Sequence, residues 1–578
     1  MGTPRRNSGA SRPRGAARTR RTQVEARVAA IALGAVLISL VSLWFLLPGS
    51  PTGRRSAEVV VLCLLLVAVS RRLLSGSAPQ QADEPAWGRG ARAAAAAGVA
   101  AAAVLPYLPS LWVGLLSDDF GMLITARAAD GIGDALRARP LPMFLRPLPM
   151  LAWWFGDRLW YGSGVGYHAL NLGIHAGNSL LVHFLVRRLL GSRYGGLAAG
   201  LLFALHPLHV EPVTWACCNS DLLVTFFSLL SLLLLEQHLA SGAARWRRLA
   251  LAGGLGSLGL ALASKEAALA LPAVAAVRVL LAGGQQRWRR AALVAGCYAL
   301  VLAAYLGWRL AELGGLGGYR SQLGFPTLRG ALLPSAPVGH LVAFLFPVNQ
   351  ELFSFHWAVQ AAAVAMMAMG VVWWVRGSER VPTSQALFWL GFLWLMTTPV
   401  GALPAATPTL EHSRLAYLPT VGLAGLFGSI AAALGWRQSR GVVFATLAAA
   451  AGLTGCYLAP WLRARTMTEQ VVGQAAALLT SLERRERGPA ELYLERVPEA
   501  HRGAQVLRNG LHHAVRMRRG RPSLVHVVSL DGDVLPDTIA RTELLPGQYV
   551  AAWQARESRF RVLRAASVSG ASEGGRAP

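Results

Sequence analysis

Long apolar runs separated by short polar connections set the pattern of this chain. A bilayer core takes about 20 apolar residues per helix, and by that measure the runs predict about 13 membrane helices. They lie near residues 28–47, 57–70, 93–116, 167–190, 195–213, 219–240, 249–263, 267–282, 291–311, 356–375, 385–403, 415–434 and 441–459. The runs at 57–70, 249–263 and 267–282 are short. Two connections are too long to be turns. In residues 117–166 the stretch LPMFLRPLPMLAWWFGDRLWYG is aromatic and broken by proline, which predicts helices lying in the membrane interface. Residues 312–355 carry an apolar piece at 336–347 that predicts re-entry into the membrane. After about residue 460 the pattern turns polar. Residues 463–487 predict a helix, and LVHVVSL and QYVAAWQA predict strands bounded by the turn signals DGD and LPG. The fold expected is an all-α polytopic membrane protein with a small α+β extracytoplasmic C-terminal domain. No internal repeat is visible.

Composition agrees with the pattern. Only 15% of the 578 residues are charged, against about 25% in soluble chains, and 54% are hydrophobic. Mean hydropathy is +0.41. This excludes a disordered chain and argues against a soluble enzyme. A net charge of +27 on one soluble face would point to nucleic acid, but here the arginines sit between apolar runs. Arg71/Arg72, Arg187/Arg188/Arg193, Arg245/Arg247/Arg248, Arg287/Arg289/Arg290, Arg376/Arg380 and Arg437/Arg440 occupy alternate short connections, as the positive-inside rule requires. They predict a cytoplasmic N-terminus and an outer C-terminal domain, and they give no nucleic-acid partner. Residues 1–27 read as a disordered, basic cytoplasmic tail rather than a signal peptide, since no small-residue cleavage site follows the run at 28–47. The expected organisation is this tail, two membrane helices within 28–92, a main membrane domain over 93–460 and the outer domain over 461–578. Five scattered cysteines form neither a disulfide framework nor a CxxC site.

Charged groups near a bilayer are costly, and the candidates gather at the outer ends of the helices. Asp118 and Asp119 stand where the third run ends. Paired carboxylates there can serve as a general base, hold a metal or position a hydroxyl nucleophile; a solvated loop start or helix N-cap is the plainer reading. His168, Asn171, His175 and Asn178 fall on one face of the fourth run, which suits a bundle interior, either as a cavity lining or as hydrogen bonds between helices. His206, His209 and Glu211 end the fifth run and Asp221 starts the sixth. Pro207 breaks the helical spacing between the histidines, which favours a polar cavity lining over a metal site. Of 56 basic residues one is lysine, Lys265, beside Glu266 at an outer turn. A lysine there can meet a phosphate at headgroup level, or pair with Glu266 to close the turn. Arg309, Arg320, Arg414 and Tyr417 lie at the outer ends of later runs, where converging cations suit an anionic lipid headgroup and single ones serve as interface anchors.

The acidic pair, YHxxNxxxH, HPLHVE followed by DLL, SKE and RLAYLP occur in that order over residues 93–460. This ordered set resembles the GT-C superfamily of polyprenyl-phosphate-sugar glycosyltransferases, and within it the protein O-mannosyltransferase-like group, including the transmembrane TPR-containing O-mannosyltransferases and bacterial relatives. The resemblance implies a GT-C-like bundle around an outer-facing cavity. It implies a lipid-linked sugar donor, dolichyl in eukaryotes and usually undecaprenyl in bacteria, and a protein or glycan acceptor. Asp118 and Asp119 match the family's acidic pair, whose carboxylate activates the acceptor; cations such as Lys265 and Arg414 would meet the leaving phosphate. A divalent cation is a candidate cofactor, with no metal-ligand set to assign. The chain departs from the family at Cys218-Asn219-Ser220-Asp221, where Gly-Arg-x-Asp is usual, at Ser413, where Glu precedes the arginine, in its two extra N-terminal runs and in having no TPR repeats. The Ala and Arg bias points to a high-GC bacterium and hence an inner membrane. The function expected is transfer of a sugar to an acceptor on the outer face; the rivals are a multi-pass lipid or glycan transporter without transferase activity, and a membrane scaffold.

Overall fold

The computed structural model describes residues 87–282, 286–315, 347–353, 383–400, 407–528 and 547–565, with Gly317, Phe344 and Leu544. The expected runs at 28–47, 57–70 and 356–375, the basic tail, most of the re-entrant piece and Arg320 lie outside the described residues.

The chain is mostly helical. Helix α1 (Arg89–Val104) continues into a 3-10 turn (Leu105–Trp112) where Pro106 and Pro109 remove backbone donors. The interfacial segment forms α2 (Asp118–Arg127), α3 (Ile132–Arg137) and α4 (Pro147–Trp160). Then come α5 (Gly164–Leu190), α6 (Arg193–Leu205), α7 (Val210–Thr214), α8 (Asn219–Ala240), α9 (Ala244–Ser264), α10 (Leu271–Ala282), α11 (Arg287–Leu313) and α12 (Thr383–Thr397). Helix α13 (Thr420–Glu486) is broken at Gly435, whose φ of 69° and ψ of 161° are non-helical. Gly428, before the break, lies against Gly195 near the start of α6. Thr454, after it, bonds the Leu205 carbonyl at the end of α6. The chain therefore reverses at Gly435, and its two arms flank α6. That hairpin is the pair of runs read at 415–434 and 441–459, with Arg437 and Arg440 at the bend.

Among the described residues, five helices are long and apolar enough to cross a membrane, or six if the pair Arg193–Leu205 and Pro207–Thr214, bent by 49°, is one span. Pro207 sits at that bend and cannot continue the backbone ladder. The shorter helices α10 and α12 fall below the length of a full crossing. The chain is thus a multi-pass membrane protein.

Small residues set a close helix approach between α6 and α13. A Cβ added at Gly428 would lie 2.5 Å from the Gly195 carbonyl oxygen, and one at Gly195 would lie 2.8 Å from that of Gly428. Without a hydrophobic force between helices in lipid, such backbone approach supplies the packing. Gly428→Leu is expected to destabilise the fold by roughly 1–3 kcal/mol, the usual overpacking cost. The check is the thermal midpoint of the purified protein, and an unchanged midpoint would refute it.

The second arm of α13 runs without interruption past residue 460 to Glu486, so the boundary read at 460 falls inside a helix. Beyond it lie β1 (Glu491–Glu495), the short pair β2 (Ala500–His501) and β3 (Ala504–Gln505), α14 (Leu511–Arg519), β4 (Leu524–Val528), β5 (Gln548–Gln554) and β6 (Arg559–Ala565). The larger sheet has the order β4-β1-β5-β6. β1 pairs parallel with both β4 and β5, and β6 antiparallel with β5. Leu492 and Leu494 on β1 are buried beneath it. The two strands read from the sequence are β4 and β5.

Candidate functional site

A cavity of about 810 Å³ opens where α2, the loop before α4 and the turn before α8 meet the C-terminal unit. Its membrane-side wall is largely apolar, with Met122, Pro140, Leu141, Phe144 and Met150, relieved by Asp118, Arg146 and Ser220. Its other wall mixes polar, aromatic and apolar groups and comes from Tyr493, residues 508–513 and residues 523–527.

Asp118 is the first residue of α2. The residue before it, Ser117, has φ 47°, a conformation that costs a non-glycine residue on the order of 1–3 kcal/mol. The C-terminal unit holds it there. The Ser117 amide donates to the Val506 carbonyl at 3.0 Å, and its hydroxyl accepts from the Asn509 amide at 3.1 Å. Gly510, at φ +80°, lets the backbone close over this turn; a Cβ there would stand 2.3 Å from the Ser117 carbonyl oxygen. The Asn509 side-chain amide donates to Asp118 Oδ1 at 2.8 Å.

The two aspartates differ. Asp118 lines the cavity, whereas Asp119 is fully buried. Asp119 Oδ2 accepts from the Leu116 amide at 2.9 Å and Oδ1 from the Cys217 amide at 2.7 Å, tying α2 to the turn before α8. Burial pushes its carboxyl well above the usual carboxylate range, against the pull of those two donors.

Behind the cavity wall lies a chain of ion pairs. Arg146, which lines the cavity, donates to Glu266 Oε1 at 2.6 Å. Lys265 is buried and its ammonium meets Asp221 Oδ1 at 2.6 Å. The neighbours Lys265 and Glu266 thus take different partners rather than each other. Arg309 is buried and donates to the Tyr305 hydroxyl at 2.8 Å. Burial acts to raise the Glu266 carboxyl, but Arg146, with Lys265 and Arg309, holds it down to about 2. A carboxylate depressed in the folded state stabilises above its ordinary pKa and loses that contribution as pH falls through the folded value. The thermal midpoint is therefore expected to drop between pH 4.5 and 2, and less in Glu266→Gln; equal acid slopes would show that the pair contributes nothing. On the opposite wall, burial, His512 and Arg516 pull His513 down to about 4, leaving it neutral at pH 7.

The remaining candidates are held in helix packing, and none borders this cavity. His168 Nε2 meets the Gly114 carbonyl, and Asn171 donates to that of Trp215. His175 bonds the Tyr417 hydroxyl at 2.7 Å and the Ala204 carbonyl, and Asn178 donates to Tyr417 as well. His206 meets the Phe344 carbonyl and His209 the Thr420 hydroxyl. Glu211 is buried; it pairs with Arg414 at 2.5 Å and accepts from the Ser413 hydroxyl. The face seen in the sequence thus bonds to α6, to α8 and to the connections at Gly114, Trp215 and Tyr417. Among the described residues no group of three or more His, Cys, Asp or Glu is placed to hold a metal ion.

Sequence reading missed Arg146, Arg508, Asn509 and the histidines of α14. The arginine inside the apolar stretch LPMFLRPLPM was a usable signal for the first. Nothing local marks Asn509, 391 residues from Asp118.

The chain is 35% identical over 165 residues to protein O-mannosyl-transferase Tmtc1 of Drosophila melanogaster, covering 25% of this chain and 18% of that one. It is 26% identical over 146 residues to protein O-mannosyl-transferase F38B6.6 of Caenorhabditis elegans, covering 23% and 21%. Over 93 residues it is 34% identical to protein O-mannosyl-transferase TMTC2 of Mus musculus, covering 16% and 11%. The chain thus spans about a fifth or less of the length of these curated relatives. They belong to the O-mannosyltransferase group that its ordered motifs resemble. Among solved structures, ArnT from Cupriavidus metallidurans bound to undecaprenyl phosphate is similar at 17% identity and a TM-score of 0.37, over 80% of this chain and 93% of that one. No family model matches the chain.

Proposed function

We propose that the chain is a GT-C-type membrane glycosyltransferase that moves a sugar from a polyprenyl phosphate to an acceptor on the outer face of the membrane. The observation that carries this is the contrast within the acidic pair: Asp119 is consumed by backbone amides, while Asp118 is held at the cavity by Asn509. The O-mannosyl-transferase relatives and the ordered motifs support the reaction class. The acceptor hydroxyl oxygen attacks the anomeric carbon, and its proton passes to the Asp118 carboxylate. The bond from that carbon to the phosphate oxygen breaks, and its electron pair leaves on the polyprenyl phosphate. The apolar wall suits the prenyl end. Arg146, backed by Lys265 and Arg309, supplies the field that meets the phosphate, while Arg414 and Tyr417 hold the helices that carry the site. Positioning and electrostatics do most of the work.

Charges gathered at one end of the helices favour this over a transporter, whose charges belong near the midplane. The test uses right-side-out membrane vesicles loaded with a labelled polyprenyl-phosphate sugar and given an impermeant hydroxyl acceptor outside. Labelled acceptor together with free polyprenyl phosphate is the expected result. Passage of intact donor between leaflets without either product would favour the transporter.

A further inference from the structure

Helices α9 and α11 begin with the same run, Arg-Trp-Arg-Arg, at 245–248 and 287–290. The two helices touch: a Cβ added at Gly254 would lie 3.4 Å from the Tyr298 hydroxyl, and one at Gly259 would lie 3.9 Å from Val301. These contacts advance along both helices in the same direction, so the pair is parallel. Gly259 and Val301 each stand 13 residues past the tryptophan of their own run (246 to 259, 288 to 301), which puts the two runs at one level. Packed helices lie about 8–10 Å apart. That level is on the far side of the bilayer from the cavity. α9 ends at Ser264, and Glu266 just beyond it bonds the cavity's Arg146. The 21 residues of α9 rise about 30 Å, the thickness of a hydrocarbon core. All six arginines and both tryptophans are exposed. Arg245 lies over the Trp246 ring at 5.9 Å and Arg287 over the Trp288 ring at 5.8 Å, the same arrangement twice. Among the described residues no carboxylate pairs with these arginines; Glu236, at the same end of the bundle, is taken by Arg278 at 2.6 Å. Further along, exposed Leu249 on α9 and Leu293 and Leu300 on α11 are apolar.

We infer that α9 and α11 together bind one diphosphatidyl lipid in the leaflet opposite the cavity, with one of its two phosphates on each Arg-Trp-Arg-Arg run. A topology signal counts positive charges in a connection and does not require two matched copies at one level. Six like charges held there repel one another, and cations in a first turn oppose the helix dipole. Phosphates offset both costs. A guanidinium meets phosphate through two parallel N–H donors, which fixes the headgroup more closely than a point charge does. Trp246 and Trp288 stand at headgroup level, and Leu249 and Leu293 offer the acyl chains an apolar surface below it. A lipid with a single phosphate engages one run at a time. Joining two phosphates makes the second contact intramolecular, which raises affinity without any new kind of contact. The paired, level runs therefore select the lipid that carries both.

The experiment titrates the full chain in detergent with diphosphatidylglycerol, with phosphatidylglycerol at equal phosphate, and with inorganic phosphate. Thermal midpoint and native mass spectrometry read the binding. Diphosphatidylglycerol is expected to half-saturate at a concentration at least about tenfold lower than phosphatidylglycerol, with one lipid retained per chain. Changing one run, as Arg245→Gln, Arg247→Gln and Arg248→Gln together, should bring the two lipids within about twofold of each other. The matching change at Arg287, Arg289 and Arg290 should do the same. The other arginine-rich connections keep the topology signal in both variants. Equal half-saturation by the two lipids in the parent would overturn the inference, since linking the phosphates would then confer nothing. A preference that survives in either variant would also overturn it, as would equal protection by inorganic phosphate. A photoreactive diphosphatidyl lipid tests the same site in the parent without any substitution. It should label the starts of α9 and α11, and labelling confined to other segments would refute the assignment.

Discussion

Asp118→Asn is expected to lose roughly 10²–10⁴-fold in sugar transfer, the usual cost of removing a general base. The amide keeps an oxygen for the Asn509 side chain, so the turn at Ser117 and its contacts with residues 506–510 should survive. Only basicity changes. Insertion, thermal midpoint and donor binding should match the parent. Asp119→Asn should behave differently. Both of its carboxylate oxygens accept backbone amides, so an amide side chain would turn one N–H against another. The expected cost is stability, about 1–3 kcal/mol for a buried donor left unsatisfied. Transfer rates and melting curves of the two variants decide the roles. A well-folded Asp118→Asn protein with near-normal turnover would sink the assignment of the base. If Asp119→Asn melts normally yet is inactive, the roles are exchanged.

The second large effect concerns Lys265. Its side chain and that of Asp221 are 5% and 7% exposed. Removing one member of a buried pair leaves an uncompensated charge and costs about 3–5 kcal/mol, whereas replacing both with apolar residues can be neutral. Lys265→Met is therefore expected to fold poorly, and Lys265→Met combined with Asp221→Leu to recover most of the loss. The recovered protein then reports on the donor. If the lysine contributes to the field at the phosphate, the double variant should bind a polyprenyl-phosphate sugar more weakly than the parent at equal stability. Unchanged donor affinity in that variant would confine Lys265 to the pair.

Much of the membrane part was legible because its signals are local. Length and apolar content mark α5, α8 and α11, and the arginines at 437 and 440 mark the reversal at Gly435. Pro207 in HPLHVE announced the bend after α6. The polar face of α5 was also visible, but the pattern could not say whether it lined a cavity or joined helices. That depends on partners such as Tyr417, 242 residues from His175. Lys265 shows why adjacency misleads. It is extended, with φ −163° and ψ 147°, so its side chain and that of Glu266 leave the backbone in different directions. In the C-terminal unit, β1 and β6 went unread although ELYLE alternates and RFRVLRA does so up to the register break at Leu563. Their charged positions hid a period of two. The cavity wall from the C-terminal unit was out of reach, because it is assembled by tertiary contact alone.

The hold of residues 506–510 on Ser117 bears on the order of events in biosynthesis. Contacts between distant parts of a chain form late, because loop closure must be met before they contribute. A nascent chain that has inserted α1 to α12 already contains both aspartates and the bonds of Asp119 to the Leu116 and Cys217 amides, but it lacks the bonds from residues 506–509 to Ser117 and Asp118. On the reading of Asp118 as the base, its competence arrives only when the segment around Asn509 has been made and docked. The membrane bundle would pass through synthesis as an inert form, and a ribosome-stalled or truncated product would lack a positioned base. Completion of the chain then acts as the checkpoint for activity, with no separate inhibitor.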